Sequence, residues 1–127
     1  MHKSNQVNQV LEEYNQGKRH FTNLDLDNES FDELHLEGII FENCFIGSSF
    51  RKTNLRNARF ISSNIKTCDF SNADLTNAHF ENLSVEAAIF KGALIDGIVF
   101  NNNWCYGQLL VQADFEAFKN NSLNSLE

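Results

Sequence analysis

The feature that most constrains this chain is a repeat of five residues. Between positions 45 and 100 every fifth residue is apolar, without exception. These positions are Phe45, Phe50, Leu55, Phe60, Ile65, Phe70, Leu75, Phe80, Val85, Phe90, Ile95 and Phe100. A period of five fits neither an amphipathic helix nor an alternating strand, and tandem self-similarity is typical of repeat architectures. The sequence therefore predicts a solenoid with these side chains in its core.

Small residues recur two positions before most of these apolar centres. They are Ser48, Thr53, Ala58, Ser63, Cys68, Ala73, Ala78, Ala88 and Ala93. With runs such as Ala73-Asp74-Leu75-Thr76-Asn77, the chain resembles the pentapeptide-repeat family from Phe21 to about Asn102. The resemblance implies an all-β solenoid, a right-handed quadrilateral parallel β-helix. Four pentapeptides would make one coil, with the large centre and the small residue pointing inward.

The chain itself supports four sides. Earlier centres are also five apart but offset by one residue; they are Phe21, Leu26, Phe31, Leu36 and Phe41. Because Phe41 and Phe45 are four residues apart, we expect a one-residue deletion at the corner formed by residues 42–44. The centres then sort onto four faces, with two opposed walls of Phe. Such a solenoid has about four coils and is ~20 Å long, at ~4.8 Å per coil.

One residue conflicts with a regular first coil. Glu29 falls at an inward position, where an unpaired charge is costly. We therefore expect the first coil to be irregular around residues 27–30.

A solenoid exposes a sheet edge at each end, so caps are expected. Residues 1–18 are expected to form the N-terminal cap, 19–102 the β-helix, and 103–127 a C-terminal cap and tail, all in one structural domain. In the first segment Val7, Val10, Leu11 and Tyr14 have helical spacing. This spacing predicts a helix over roughly residues 5–16, ended by Gly17.

The C-terminal segment contains more apolar surface than a cap requires. If the repeat continued, Asn103 would point inward, so we expect instead that Trp104, Tyr106 and Leu109 close the core. A short helix is expected near residues 115–123. Three further apolar residues are expected to pack within the chain or, alternatively, to form a weak homodimer contact; they are Val111, Phe115 and Phe118.

Charge is layered along the chain, whose net charge is −7. Residues 25–42 and 69–86 carry acids without bases, whereas residues 51–66 carry bases without acids. The basic band contains the candidate interaction residues Arg51, Lys52, Arg56 and Arg59. Read as a binding surface, the band would take an acidic or phosphate-bearing partner. We favour pairing between coils, with Arg51 over Asp32, Lys52 over Glu33, Arg56 over Glu37 and Lys66 under Glu86.

Catalysis and cofactor binding find little support in the sequence. The histidines, at positions 2, 20, 35 and 79, lack metal-ligand spacing, and no phosphate-binding loop is present. Cysteines 44, 68 and 105 form neither a disulfide framework nor a zinc motif, and Cys68 is expected to be a buried small side chain. No signal peptide or membrane span is evident, so a cytoplasmic location is expected. We expect no enzyme activity, no cofactor and no metal.

Two function classes remain. The first is a non-enzymatic scaffold that presents flat β faces to an unidentified protein partner. The second is implied by the resemblance, because some pentapeptide-repeat proteins are dimeric, acidic mimics of duplex DNA that bind type II topoisomerases and confer quinolone resistance. The short repeat region and the basic band depart from that pattern. The negative net charge disfavours nucleic acid and anionic membranes as direct partners.

Overall fold

The pentapeptide repeats form a four-sided parallel β-solenoid of about four coils, with a helix at each end. The structure is a computed structural model that describes residues 5–120. Helix α1 spans Asn5–Asn15. Five strands then pair in parallel in chain order: β1 His20–Thr22, β2 Ile40–Glu42, β3 Arg59–Ile61, β4 His79–Glu81 and β5 Val99–Asn101. The last elements are the antiparallel strands β6 Asn103–Cys105 and β7 Gln108–Leu110, a 3₁₀ turn Gln112–Asp114, and helix α2 Phe115–Lys119.

Four faces repeat in each coil, and each is defined here by its inward-pointing centres. Face 1, which contains β1–β5, has the centres Phe21, Phe41, Phe60, Phe80 and Phe100. Face 2 has Leu26, Ile46, Ile65 and Val85; face 3 has Phe31, Phe50, Phe70 and Phe90; face 4 has Leu36, Leu55, Leu75 and Ile95. All of these side chains are buried except Ile95, which is partly exposed. The predicted fold, with opposed Phe walls, is confirmed.

Phe rings of neighbouring coils stack along face 3. Phe70 lies 5.3 Å from Phe50 and 5.2 Å from Phe90 between ring centroids, with interplanar angles of 13° and 21°. Across the core it meets Phe60 and Phe80 edge to face, at 5.5 and 5.4 Å. Both geometries suit the quadrupole of an aromatic ring and add about 0.5–1.5 kcal/mol per pair beyond burial. The core is thus a continuous aromatic column.

The one-residue deletion lies one corner later than expected. Phe45 is 48% exposed, whereas Ile46 is fully buried and takes the place of the face 2 centre. Five residues therefore separate Phe41 from Ile46, and four separate Ile46 from Phe50. The residue two after each other centre has φ between 49° and 75°, but none of residues 47–49 has a positive φ. The prediction of Phe45 as a core residue, and of a deletion at 42–44, was wrong because both Phe45 and Ile46 are apolar.

The first coil is regular where an irregularity was expected. Asn28 has φ 60°, like other corner residues, and Ser30 forms a parallel bridge with Ser49. Glu29 is only partly buried, and its backbone N–H donates to Ser48 Oγ at 3.0 Å. Because its side chain is not enclosed in the core, no backbone distortion is needed. The irregular corner is the shortened one in the next coil.

Helix α1 covers the first coil as predicted. Val7, Val10 and Tyr14 are buried, and the Tyr14 hydroxyl donates to the Glu37 carbonyl oxygen at 2.7 Å. Gly17 follows the helix with φ 104°, a left-handed conformation that glycine adopts without penalty and that commonly ends helices. The N-terminal end of the solenoid is therefore closed by both apolar packing and a hydrogen bond.

The C-terminal cap differs from the expected one. Trp104, Tyr106 and Leu109 do not close the core, since they are 48%, 69% and 45% exposed. Leu110, Phe115 and Phe118 close it instead; all three are buried. Asn103 remains inward, and its polar side chain is fully buried and hydrogen-bonded. Strand β6 therefore adds one more rung to face 2 before the chain turns back. The part of the predicted final helix beyond residue 120 lies outside the described residues.

Candidate interaction surfaces

The four basic candidates encircle one coil and do not form a single patch. Arg51 lies on face 3, Lys52 at the next corner, Arg56 on face 4 and Arg59 on face 1. All four are exposed. Because they point to different sides, one flat partner cannot contact all of them at once.

The ion pairs of this band join different partners from those expected. Arg56 contacts Asp74 at 3.2 Å and Arg51 contacts Asp69 at 3.9 Å, so both side chains lean toward the following coil. Asp32 instead accepts hydrogen bonds from the Arg51 backbone N–H at 2.8 Å and from Ser49 Oγ at 2.5 Å. The predicted pairs of Arg51 and Arg56 with the preceding coil were wrong. Pairing between coils does occur, but it runs in the other direction.

Two other predicted pairs are also not formed. Within residues 5–120, no ion pair joins Lys52 to Glu33 or Lys66 to Glu86. Glu86 instead accepts a hydrogen bond from the Tyr106 backbone N–H at 3.1 Å. The register placed the residues in the correct columns, but side-chain direction decided the contacts.

Asp74 has the best-defined electrostatic environment on face 4. Partial burial alone would raise the pKa of its carboxyl group. Hydrogen bonds from Thr76 and Arg56 to the carboxylate outweigh that effect, and the pKa lies below its ordinary value. Asp74 is therefore held as an anion within the ladder of coils.

The nucleophilic side chains of the repeats face the core. The hydroxyl groups of Ser48, Thr53 and Ser63 are buried and bonded to backbone carbonyls. Burial raises the pKa of the Cys68 thiol to about 12 and also raises that of Cys44. Thiols in this state are poor nucleophiles, because the thiolate is the reactive form. These residues fill the inward positions and do not form a reactive site.

The described histidines are separate from one another. His20 contacts Glu42 at 2.8 Å, His79 contacts Glu81 at 3.3 Å, and His35 contacts the Asn54 amide at 3.1 Å. In the part of the chain that the structure describes, no three His, Cys, Asp or Glu side chains are grouped to hold a metal ion.

Neither α1 nor α2 is long and apolar enough to cross a membrane, among the residues described.

The C-terminal interaction residues are mostly internal. Phe115 packs on Phe90 and Phe100, with ring centroids 5.5 and 4.9 Å apart, and Phe118 lies 5.6 Å from Phe100. These two rings cap the aromatic column, so they are not available for a dimer contact. Val111 alone of the three predicted residues is exposed, at 42%.

Sequence reasoning missed an exposed apolar strip on face 2. Phe45, Asn64, Ser84 and Trp104 form one column of bridged residues, and Leu109 pairs with Trp104 on the adjacent strand β7. Phe45, Trp104 and Leu109, which we name the face 2 strip, are each 45–48% exposed. An open groove of ≈ 690 Å³ runs beside Phe45 and the polar column, between them and the corner residues Asn43 and Asn82. Large apolar side chains on an otherwise polar face suit a protein interface.

A tight hairpin holds one end of this strip. Strands β6 and β7 are joined by Tyr106 and Gly107, which have φ values of 50° and 79°. Two consecutive positive φ values are typical of the type I′ turn that connects twisted strands. In the sequence, this hairpin could have been recognised from Gly107, which lies between two short apolar runs and directly follows Tyr106.

Comparison with known proteins agrees with this architecture. The family model described as a pentapeptide repeat region matches residues 40–107. Two trypsin-treated forms of QnrB1, a plasmid-mediated fluoroquinolone resistance protein, are similar at 22% and 23% identity, with TM-scores of 0.58 and 0.65. The matches cover 70% and 66% of this chain and 44% of each QnrB1 chain, so this chain spans less than half their length.

The pentapeptide repeat protein alr5209 from Nostoc Pcc 7120 is 21% identical, with a TM-score of 0.48, over 82% of this chain and 84% of that one. No curated protein sequence matches the chain. Since the family model covers more than half of its residues, the chain belongs to the pentapeptide repeat family.

Proposed function

We propose that this chain is a non-enzymatic scaffold that binds a protein partner through the outer faces of its solenoid. The observation that carries the proposal is the face 2 strip, where Phe45, Trp104 and Leu109 expose large apolar surfaces. Aromatic side chains are enriched at protein interfaces and often supply most of the binding energy. Trp104 and Leu109 lie opposite each other on the β6–β7 pair, so they present one continuous apolar contact.

The environment of the strip favours a protein over a small substrate. Its neighbours Asn64 and Ser84 are polar and lie between Phe45 and Trp104, along the open groove. A groove that is open to solvent along its length encloses little of a small molecule, whereas a small-molecule site is usually an enclosing cleft. A partner with its own apolar residues, rimmed by hydrogen-bonding groups, matches this surface.

The strip can be tested with two matched variants. The chain and the variant carrying Trp104→Ser and Leu109→Ser would be used as baits in an extract of the native host, and captured proteins identified by mass spectrometry. The purified captured protein is then titrated against each bait. We expect affinity to fall at least tenfold in the double variant. The matched control is Ile89→Ser, since Ile89 is 46% exposed but lies on face 3. Equal affinity for all three baits would contradict the proposal.

The second candidate function is inhibition or protection of a type II topoisomerase by mimicry of DNA. Support comes from the acidic surface of the first coil and from the likeness of fold to QnrB1. Arg51, Lys52, Arg56 and Arg59 interrupt the negative surface. Four coils supply only ~20 Å of length per chain, so a long mimic would require a dimer.

Two measurements separate this candidate from the general scaffold. Light scattering near 14.5 kDa at micromolar concentration would exclude the long dimeric mimic. A supercoiling assay with gyrase, with and without a quinolone, measures inhibition or protection directly. We expect a monomer or weak dimer and no effect on supercoiling. A stable dimer that inhibits gyrase would favour the second candidate instead.

A further inference from the structure

Face 4 forms three backbone hydrogen bonds between each coil and the next. In the last complete interface, Leu75 N–H donates to the Leu94 carbonyl and Asn77 N–H to the Asp96 carbonyl, both at 2.8 Å. Leu94 N–H donates back to the Ala73 carbonyl at 3.0 Å. The lower coils repeat this pattern, so each coil presents two donors and one acceptor to the coil above it.

Among residues 5–120, no strand covers the same three groups of the last coil. Ile95 N–H, Gly97 N–H and the Ala93 carbonyl are the equivalents of the groups just named, and within residues 5–120 none of them has a hydrogen-bond partner. On the neighbouring face 3 the equivalent donors of the last coil, Phe90 N–H and Gly92 N–H, likewise have no hydrogen-bond partner within residues 5–120. Faces 1 and 2 are closed. Phe100 N–H donates to the Gln112 side chain at 2.8 Å, and Val85 N–H donates to the Trp104 carbonyl at 3.0 Å.

The side chains at this edge are also more apolar and more exposed than their equivalents below. Ile95 is partly exposed, whereas Leu55 and Leu75 are fully buried. Leu94 is 60% exposed, at a position where the lower coils carry the polar residues Asn54 and Asp74. The edge therefore combines unpaired backbone groups with an uncovered apolar surface, a combination that pairs readily with another strand.

We propose that the edge formed by residues 93–97, named here the face 4 edge, binds an extended peptide segment of a partner protein as an additional parallel rung. The peptide supplies two carbonyl groups to Ile95 and Gly97 and one N–H to Ala93. Main-chain bonds of this kind give affinity, and alternate side chains give specificity. By analogy with the rungs below, the segment carries a large aliphatic residue over Ile95 and a small residue two positions earlier.

A second copy of this chain does not fit the edge in the same way. The complementary groups of another copy lie on the lower edge of its first coil, where helix α1 is packed. On face 4 of that coil the Glu37 carbonyl already accepts the Tyr14 hydroxyl at 2.7 Å. Head-to-tail stacking would therefore have to displace a packed helix, and the occupant is a segment of a different protein.

The edge lies on the opposite side of the solenoid from the face 2 strip, so it is a separate binding surface. The test of this edge does not depend on the function proposed for the face 2 strip, because it uses only the purified chain and a synthetic peptide. The probe is a capped peptide with the sequence of residues 70–79, which in the chain itself covers the equivalent edge of the coil below. Its matched control carries an N-methyl group at the residue corresponding to Asp74, whose N–H donates to Thr53 in the chain.

Amide hydrogen exchange and NMR titration give the readout. In the free chain, the amides of Ile95 and Gly97 are expected to exchange at least tenfold faster than those of Leu75 and Asn77. Saturating peptide should slow their exchange at least fivefold and shift their resonances, and the N-methylated peptide should not. Leu94→Ser should weaken binding severalfold, whereas Ile89→Ser and the Trp104→Ser, Leu109→Ser variant should not.

Three outcomes would overturn the proposal. The first is slow exchange of Ile95 and Gly97 in the free chain, which would mean that the edge is already covered. The second is no change at millimolar peptide. The third is equal binding of the N-methylated peptide, which would mean that the backbone bonds are not used.

Discussion

The Asn103 side-chain amide donates a hydrogen bond to the Phe80 carbonyl oxygen one coil below, at 2.9 Å. The same side chain accepts a hydrogen bond from Leu83 N–H, also at 2.9 Å. Asn103 is fully buried at an inward position that Leu83 and Ser63 occupy in the two coils below. A polar residue is stable there because both ends of its amide group are bonded.

Replacing Asn103 should destabilise the chain strongly. Asn103→Ala leaves Leu83 N–H buried and unpaired, at about 1–3 kcal/mol. It also removes a hydrogen bond to the Phe80 carbonyl, which keeps its place in the β4–β5 ladder, at about 0.5–1.5 kcal/mol. Urea denaturation should therefore show a loss of about 1.5–4 kcal/mol. Ser84→Ala is the control, since Ser84 is partly exposed and makes no side-chain hydrogen bond to another described residue. A loss below 1 kcal/mol for Asn103→Ala would mean that the two bonds contribute little.

Removing a ring from the aromatic column should have a comparable effect. Phe70 contacts rings above, below and across the core. Phe70→Ala should cost about 3–5 kcal/mol because it leaves a cavity, and Phe70→Leu should cost less. Phe45→Ala, at an exposed ring, should lie within about 0.5 kcal/mol of the parent. The ranking is measured by urea denaturation; a larger loss at Phe45 than at Phe70 would contradict the register.

The sequence predicted the faces but not the site of the deletion, for a physical reason. The five-residue period requires an apolar residue at each centre. At the irregular coil two adjacent residues, Phe45 and Ile46, both meet that requirement. Either one can serve as the centre if the shortened corner moves by one position. Gly47, two residues after Phe45, lacks the positive φ of the other corners, and Asp27 of the preceding coil occupies the space that a β-carbon at Gly47 would need. That contact joins two coils and is not visible in the local pattern.

The interaction surfaces were harder to predict than the core. Phe115 and Phe118 are aromatic residues of the kind that is common at protein interfaces. Their role as a cap becomes clear only from the path of the chain after β7, which places them over Phe90 and Phe100. Outward residues obey no periodic requirement, so the pattern could not show that Phe45 and Trp104 share one column. The direction in which Arg56 leans is a choice between rotamers, which sequence spacing does not specify.

Alanine substitutions at two equivalent corners, Gly38 and Gly97, should distinguish the cost of backbone strain from the cost of side-chain crowding. Gly38 and Gly97 have φ values of 75° and 72°, but a β-carbon meets nothing within 4 Å at Gly38 and collides with the Asn77 side chain at Gly97. Gly38→Ala should cost about 1–2 kcal/mol for the left-handed conformation. Gly97→Ala should cost roughly 0.5–1.5 kcal/mol more, because Asn77 is pushed from its rotamer.

The control for this pair is Asn77→Ala. In the Gly97→Ala background it should remove the excess cost, as measured by thermal and urea denaturation of the four variants. Equal losses for Gly38→Ala and Gly97→Ala would show that crowding at Asn77 is negligible.

One corner should be open to stabilisation. Thr67 has φ 63°, a conformation that is unfavourable for a β-branched residue and better tolerated by Asn. Thr67→Asn should therefore raise the free energy of unfolding by about 1 kcal/mol. The reverse substitution at the next corner, Asn72→Thr at φ 59°, should lower it by a similar amount. If both changes are neutral, these corners relax enough to accept any side chain.

Arg56 and Asp74 supply the last test, because their contact was assigned to the wrong neighbour by the sequence. The Arg56 guanidinium lies 3.2 Å from Asp74, with side chains 44% and 26% exposed. A double-mutant cycle with Arg56→Ala and Asp74→Asn should give a coupling below about 1 kcal/mol, since exposed pairs are screened by water and salt. The cycle of Arg56→Ala with Glu37→Gln, the partner predicted from sequence, should give no coupling.

The same pair should give a defined pH dependence. Hydrogen bonds from Thr76 and Arg56 hold the pKa of Asp74 below its ordinary value despite partial burial. A lowered folded-state pKa means that the stabilisation is complete above the unfolded value of about 3.9. It is lost as the pH falls through the folded pKa, where the native carboxylate takes up its proton. The stability difference between the parent and Asp74→Asn, measured by urea denaturation, should therefore be larger at pH 7 than at pH 2.5. A difference that stays constant or grows on acidification would mean that the charge of Asp74 does not stabilise the fold.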